Sequence, residues 1–429
     1  MNFQRPRGTR DLTPDRSSLW RHLRSTFERV GDRYAYVQVD TPVFERTGLF
    51  SRSVGEDTDV VSKEMYSFLD RKGRELSLRP EGTAPVVRMV LENGLLGPGG
   101  ILRLSYLGPM FRYDRPQAGR YRQFSQFGVE AFGSTAPALD AEVIGIFVDT
   151  LRELGLKKPV VELGSVGDDC CRPDYLEKVL RPALQDLGDQ LCATCRDRAA
   201  SNPMRVFDCK IASCQEALQS APRPLHSLCG DCASHQEELE SLLEKMGIDY
   251  HRNHSLVRGL DYYTRTVFEV HDSSLGAQSA LGGGGRYDRL VEQLGGAPTP
   301  AVGFSSGIDR LELLLQELNR ENPPAPRSGA YLVLLCPRGE ATAERYARML
   351  RDLFPVEIDW TARGMKAQLK TANAREARFA LILGEDELEK KVLTVKDLDS
   401  GEQVTLAEED LMDFLRTVVD SRNEEQKQD

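Results

Sequence analysis

Long apolar runs are missing from this 429-residue chain. The longest, 331–336 and 379–383, fall far short of the roughly 20 residues that cross a bilayer. The first six residues, Met-Asn-Phe-Gln-Arg-Pro, lack the apolar core of a secretory signal. Together these absences argue against a membrane or exported protein, and a cytoplasmic one is expected. The glycine run 282–285 is followed by Arg286-Tyr287-Asp288 and not by Gly-Lys-Ser/Thr, so it is no P-loop; it reads as a strand edge where backbone approaches a substrate. No internal repeat is found. An excess of positive charge is missing too, the formal net charge being −10. That average argues against a uniformly basic nucleic-acid binder but says nothing of local patches. One such patch, 361–378, sets Arg363, Lys366, Lys370, Arg375 and Arg378 against the single acid Glu376. A solvated helix face and a nucleic-acid contact explain it equally well.

Among what is present, a hydrophobic content of 40% at this length implies two or three domains with substantial cores. Nine cysteines are an unusual supply for a chain expected in a reducing compartment, where they indicate free thiols or a metal site and not a disulfide framework. Eight fall between 170 and 232. Cys192-x-x-Cys195 and Cys229-x-x-Cys232 are separated by 33 residues, wider than a usual zinc ribbon, with Cys209, Cys214 and His235 nearby. Those four thiolates, if gathered, would hold a structural Zn²⁺; reduced buried cysteines are the alternative. Cys170, Cys171 and Cys336 read as structural.

Periodicity organises the rest. Leu19, Leu23, Phe27 and Val30 recur at helical spacing within 16–33. A strand at 76–79 leads through 80–84 into a helix. The cysteine-rich stretch, with a helical pattern at 237–246, interrupts the chain as an inserted domain. Pro323, Pro324 and Pro326 mark 317–328 as a linker. Beyond it, apolar 331–335, helix 340–354, strand 356–360, helix 363–376 and strand 379–383 alternate as in a small α/β domain with a largely parallel sheet, closed by a hairpin turning at Asp399-Ser400-Gly401. The tail 421–429 is expected to be disordered.

The most informative stretch is 106–124. It places Arg112, Arg115, Arg120 and Arg122 within eleven residues, between two apolar and aromatic runs. Strand, charged loop, strand is the reading, with Gly108, Pro109, Pro116 and Gly119 supplying turn geometry. Arginine's planar charged fork matches phosphate oxygens, so this hairpin reads as a phosphate site on a rigid platform, with a solvated hairpin whose arginines point outward as the alternative.

The hairpin, with Gly128-Val129-Glu130 following 123–127, resembles motif 2 of class II aminoacyl-tRNA synthetases, and of histidyl-tRNA synthetases in particular. Leu256-Val257-Arg258-Gly259-Leu260-Asp261-Tyr262-Tyr263 and Gly282-Gly283-Gly284-Gly285-Arg286-Tyr287-Asp288 are similar to that family's two histidine-specific signatures. The resemblance extends from Arg7 to Asp397. It implies an α+β fold: a catalytic domain on an antiparallel sheet in two parts, 1–165 and 254–320, an inserted, mainly helical domain at 166–253, and an anticodon-binding α/β domain at 328–422. It also implies the activity, in which ATP with Mg²⁺ activates L-histidine to histidyl-adenylate and the amino acid then passes to tRNA(His). The segment 40–45 resembles motif 1, which implies a homodimer.

Roles follow by the same resemblance. Arg112 and Arg258 are the catalytic cations at the α-phosphate and the histidine carboxylate. Glu81, Thr83 and Gln126 take the α-amino group, Glu130 and Tyr263 the imidazole, with Tyr262 beside them. Arg120, Phe124 and Arg310 join Arg112 at ATP. Arg115, Gln117, Arg363, Lys366 and Lys370 are the expected tRNA contacts. Asp309 stands where the family usually has glutamate, which puts the Mg²⁺ ligands in doubt. A regulatory paralogue of the same fold would lack a segment like 330–406 and carry degenerate site motifs; this chain has both intact.

Overall fold

The computed structural model describes residues 3–55, 58–97, 99–117, 119–272, 280–319, 327–361 and 363–425. Two compact units result, Met1–Glu321 and Asn322–Asp429. The expected linker prolines Pro323, Pro324 and Pro326 and the last four residues of the expected tail lie outside the described residues.

The first unit is built on an eight-stranded sheet. Its order is Val37–Val39, Leu102–Phe111, Gln123–Phe132, Ala301–Gly307, Gly282–Arg286, Thr264–Asp272, Pro159–Ser165, Tyr250–Arg252. Pairing is antiparallel throughout except at the two outer pairs. Strand geometry sends successive side chains to opposite faces. Phe127, Val129, Ala131, Val302, Phe304, Phe268 and Val270 therefore share one face, where they bury against helices Pro14–Arg33, Pro137–Glu153, Gly230–Lys245 and Ile308–Asn319. The helix Pro14–Arg33 turns in Leu23, Phe27 and Val30, as its spacing predicts. Gln126, Glu130 and Glu269 fall on the opposite face by the same alternation, and that face carries the site.

A three-stranded sheet, Phe44–Arg46, Glu75–Leu78 and Ser67–Leu69, leads into helix Thr83–Glu92. The cysteine-rich segment after Pro159–Ser165 forms short helices, among them Arg181–Leu187, Ala193–Ser201 and Ala212–Ala217. Helix Gly230–Lys245 and strand Tyr250–Arg252 also fall within 166–253. They pack into the main core and the end of the large sheet, through Leu239, Leu243 and Ile248.

In the second unit the strand order is Val356–Ile358, Ala330–Leu334, Phe379–Leu383, Val392–Asp397, Gln403–Ala407. Two pairings are parallel and two antiparallel, so the sheet is mixed where a largely parallel one was expected. The last two strands are joined by the expected hairpin, and Gly401 adopts φ +80° at its turn. Helix Met365–Ala374 starts two residues late because Arg363 turns back to Asp359 (Nη2–Oδ2 2.5 Å). Helix Glu408–Glu425 extends into the expected disordered tail.

Candidate active site

The polar face of the large sheet floors a cavity of about 440 Å³. Glu81, Thr83, Arg112, Arg120, Phe124, Gln126, Arg258, Tyr262, Tyr263 and Arg310 all line it. Four separate stretches of chain thus converge.

One end is built from buried acceptors. Glu81 precedes helix Thr83–Glu92 and accepts its first amides, from Thr83 (2.7 Å) and Ala84 (2.9 Å). Burial raises the Glu81 pKa, and these amides oppose the rise. Gln126 is buried, and its Oε1 has no hydrogen-bond partner among the described residues. An unpaired buried acceptor costs about 1–3 kcal/mol, so this atom is poised for a donor brought by a ligand. The rings of Tyr262 and Tyr263 lie 4.7 Å apart, and Tyr262 meets Tyr287 edge-on at 5.6 Å.

Glu130 differs from expectation. Completely buried, it lies beneath the lining residues, with Oε1 accepting the Thr83 hydroxyl (2.7 Å) and Oε2 the Tyr287 hydroxyl. Burial pushes its pKa from 4.5 up to about 8, against the pull of those two hydroxyls. The folded protein therefore holds a proton that the unfolded chain releases above about pH 4.5. The stability that proton contributes is fully present below pH 4.5 and is lost as pH rises through about 8. Glu130→Gln, which cannot ionise, should flatten the fall in melting temperature between pH 6 and pH 9. Thermal unfolding across that range checks it, and an unchanged pH dependence would place the titration elsewhere.

The other end is cationic. Arg112 donates from Nε to the Pro80 carbonyl (2.8 Å), and its guanidinium lies 5.5 Å from the Phe124 ring centroid. Arg258 is fixed by Glu269 (Nη1–Oε1 2.5 Å), which also faces His271 Nε2 at 3.5 Å. No hydrogen bond or ion pair engages Arg310 among the described residues; burial and then the charge of Arg120 lower its pKa. Arg120 itself is exposed and only loosely paired with Asp114 (3.5 Å). Such incompletely neutralised guanidinium groups are suited to phosphate oxygens.

Asp309 is committed elsewhere. It accepts the Ser125 amide (2.7 Å) and pairs with Arg10 (2.5 Å), which also binds the buried Glu312. It does not line the cavity. Its carboxylate braces helix Ile308–Asn319 against the N-terminal segment.

Several lining residues escaped the sequence reading. Tyr287 lies inside one of the two glycine- and tyrosine-bearing signatures. Glu269 does not line the cavity but holds Arg258 there, and an acid within an apolar strand is a legible signal. Arg205, by contrast, comes from the inserted segment and lies at the cavity with Asp59 (3.5 Å), and no local pattern announces it. Arg115 and Gln117 occupy the exposed hairpin loop outside the cavity. In the second unit Lys366 and Lys370 are exposed, while Arg363 is held by Asp359 and Thr361.

The cysteines require a correction. Cys192, Cys195, Cys229 and Cys232 do not form one group. Among the described residues Cys192 and Cys195 gather with Cys209 and Cys214, whereas Cys229 and Cys232 gather with Asp168 and Cys171. The chain between the two Cys-x-x-Cys pairs folds as several short helices, and each pair meets the partners its own helix reaches.

Comparison with known proteins agrees with this geometry. Residues 8–311 match the family model described as histidyl-tRNA synthetase, and residues 331–418 match an anticodon binding domain. A histidine–tRNA ligase of Moorella thermoacetica is 47% identical over 428 residues, 98% of this chain and 100% of the relative. Another from Desulfitobacterium hafniense is 46% identical over 421 residues, covering 97% and 98%. The crystal structure of apo S. aureus histidyl-tRNA synthetase aligns with a TM-score of 0.80 at 34% identity, covering 96% of this chain and 99% of that one.

Proposed function

The chain belongs to the histidyl-tRNA synthetase family, and from that premise we propose how its residues divide the work of charging tRNA(His). The activity is histidine–tRNA ligation: histidine and ATP give histidyl-adenylate and pyrophosphate, and histidine is then transferred to the tRNA 3′ end. The single observation that carries the assignment is one cavity with buried acceptors at one end and four arginines, Arg112, Arg120, Arg258 and Arg310, among its lining.

Two anions must meet in the first step, the histidine carboxylate and the α-phosphate, so fixed cations lower the repulsion and stabilise charge developing on phosphoryl oxygens. Arg112 and Arg258 perform this role. Arg310 and Arg120 take the outer phosphates, and Phe124, already under the Arg112 guanidinium, offers a ring for adenine. The α-ammonium is received by Glu81, Thr83 and the unpaired Gln126 Oε1. For the imidazole, Tyr263 supplies one partner. Glu130 supplies the other once Thr83 or Tyr287 releases an oxygen to the ligand.

Class II synthetases use ATP with Mg²⁺. Among the described residues no group of three carboxylates gathers at the cavity, which suits an ion carried mainly by phosphate oxygens with one or two protein carboxylates. Glu64, which lines the cavity, is the candidate, since Asp309 is held by Arg10 and Asp59 by Arg198 and Arg205. The ion would supply charge neutralisation at the leaving pyrophosphate.

A homodimer through motif 1 is favoured by the exposed apolar side chains of Phe44, on the motif 1 segment, and of Phe68 and Leu69, on another strand of the same three-stranded sheet. Arg115 and Gln117, and in the second unit Lys366 and Lys370 with the partly committed Arg363, are assigned to tRNA. The setting is cytoplasmic; no helix among the described residues is long and apolar enough to cross a membrane.

The test is histidine-dependent exchange of pyrophosphate into ATP, compared with tRNA charging, in the full chain and in a chain ending near Ser328. Every residue assigned to histidine and ATP precedes Leu311, so the short chain should retain exchange. It should charge tRNA poorly and with a shallower salt dependence, because each lost phosphate contact removes nearly one unit of slope. Equal charging by both chains would remove the second unit from tRNA binding.

A further inference from the structure

We propose that the cysteine-rich segment holds two structural zinc ions, one bound by Cys192, Cys195, Cys209 and Cys214 and the other by Asp168, Cys171, Cys229 and Cys232. In each group the four ligand atoms lie within 4.8 Å of one another. A tetrahedral ion with Zn–S bonds of about 2.3 Å places its sulfurs roughly 3.8 Å apart. Cys192 and Cys209 have their sulfurs at 3.8 Å, Cys171 and Cys232 at 3.9 Å. Disulfides would need about 2.0 Å, and all these thiols are free. Asp168 Oδ1 lies 3.6 Å from Cys171 Sγ and 3.9 Å from Cys229 Sγ, near the slightly shorter edge that an oxygen ligand gives.

Chemistry and location agree with geometry. Three or four thiolates in a closed, largely buried set select a structural Zn²⁺ over Mg²⁺ or Ca²⁺. Cys192 and Cys229 are each the N-cap of a helix, Ala193–Ser201 and Gly230–Lys245, where the helix dipole favours a thiolate. Asp168 is oriented by the amides of Cys170 (3.0 Å) and Cys171 (3.3 Å) and by Arg265 (3.2 Å), the outer support that metal carboxylates have. The segment consists of short helices with a modest core, the kind of structure that metal ligation stabilises.

The two sites have different consequences. The Asp168 site joins the entry of the inserted segment, just after strand Pro159–Ser165, to the start of the helix by which it returns to the main core. The four-cysteine site shapes the chain that carries Arg198 and Arg205. Both arginines reach Asp59, at 3.2 and 3.5 Å, and Arg205 donates to the Gly259 carbonyl at 3.2 Å, beside Arg258. Zinc there is a positioning device for the rim of the catalytic cavity. This last consequence rests on the reading of that cavity as the histidine and ATP site; the metal sites themselves do not.

The experiment is metal analysis of the full chain purified without added metal or chelator, with zinc-edge X-ray absorption on the same sample. About two zinc ions per chain are expected, with mainly sulfur neighbours and a minority of oxygen. Cys209→Ser and Cys171→Ser should each leave about one. Should either variant fail to fold, the unmodified protein still decides, since titrating its thiols with a mercurial should release about two zinc ions. Metal-free folded protein with nine reactive thiols overturns the proposal, as does iron in place of zinc. One zinc that survives both substitutions would assign it to some other set. Cys209→Ser should also raise the KM for ATP or histidine more than Cys171→Ser does. Two zinc ions without that difference would leave the sites standing and overturn the positioning role, whereas failure of histidine-dependent exchange in the unmodified protein would overturn the catalytic reading alone.

Discussion

Replacing Arg258 by alanine should lower histidine-dependent pyrophosphate exchange by about 10²–10³-fold, the usual cost of removing one preorganised donor from a developing oxyanion. The structure explains why the loss should fall on catalysis and not on folding. Arg258 lies at the cavity and not in the apolar core, and its partner Glu269 keeps His271 at 3.5 Å. The orphaned carboxylate therefore retains a neighbour and access to water. A lysine at this position would restore the charge without the planar fork, so Arg258→Lys should recover activity only in part. Near-normal exchange in the alanine variant, with correct folding, would remove Arg258 from the reaction.

A second large loss is expected from a change that adds only one methyl group. A Cβ at Gly284 would lie 1.9 Å from the Gly303 carbonyl oxygen and 2.6 Å from the Phe304 Cα, both backbone atoms of the adjoining strand. Neither can yield as a side-chain tip would. Gly284→Ala must force strands Gly282–Arg286 and Ala301–Gly307 apart and carry Tyr287 away from Glu130. Destabilisation of about 3 kcal/mol or more, at the upper end of overpacking effects, should accompany loss of exchange activity. Gly364→Ala is the control: nothing among the described residues lies within 4 Å of its Cβ, and its stability should be nearly unchanged. Thermal unfolding of the two variants against the parent settles the matter, and a stable, active Gly284→Ala would show that this sheet is not as rigid as its packing implies.

These two sites also illustrate what was legible and what was not. Arg258 could be found because it lies in a continuous signature whose chemistry is local: a cation, a glycine and two tyrosines. The glycine run reads from sequence as a strand edge that meets a substrate, whereas it forms an interior strand paired on both sides, and what its glycines approach closely is neighbouring backbone. Gly303 is 19 positions from Gly284 along the chain and reaches it only because antiparallel register sets Gly303 opposite the next residue, Gly285.

The cysteines mark the limit most clearly. Cys-x-x-Cys spacing identifies pairs that one helix start can bring to a metal, so Cys192 with Cys195 and Cys229 with Cys232 were sound as pairs. Which pairs meet depends on how the intervening helices turn, and that belongs to packing. Asp168 offers no spacing signal at all.

The sequence by itself determined the elements whose causes are short-range: the amphipathic helix Pro14–Arg33, the arginine hairpin, the signatures carrying Arg258 and Tyr263, and the change to an α/β pattern after the linker. Tertiary structure alone decided the rest. It placed Glu130 beneath the cavity and raised its pKa to about 8, turned Asp309 toward Arg10 and the Ser125 amide, and brought Arg205 to the rim. It also sorted the cysteines into two groups. The physical reason is common to all four. Burial, charge partners and ligand sets depend on residues distant in sequence, and only packing and strand register determine which of them become neighbours.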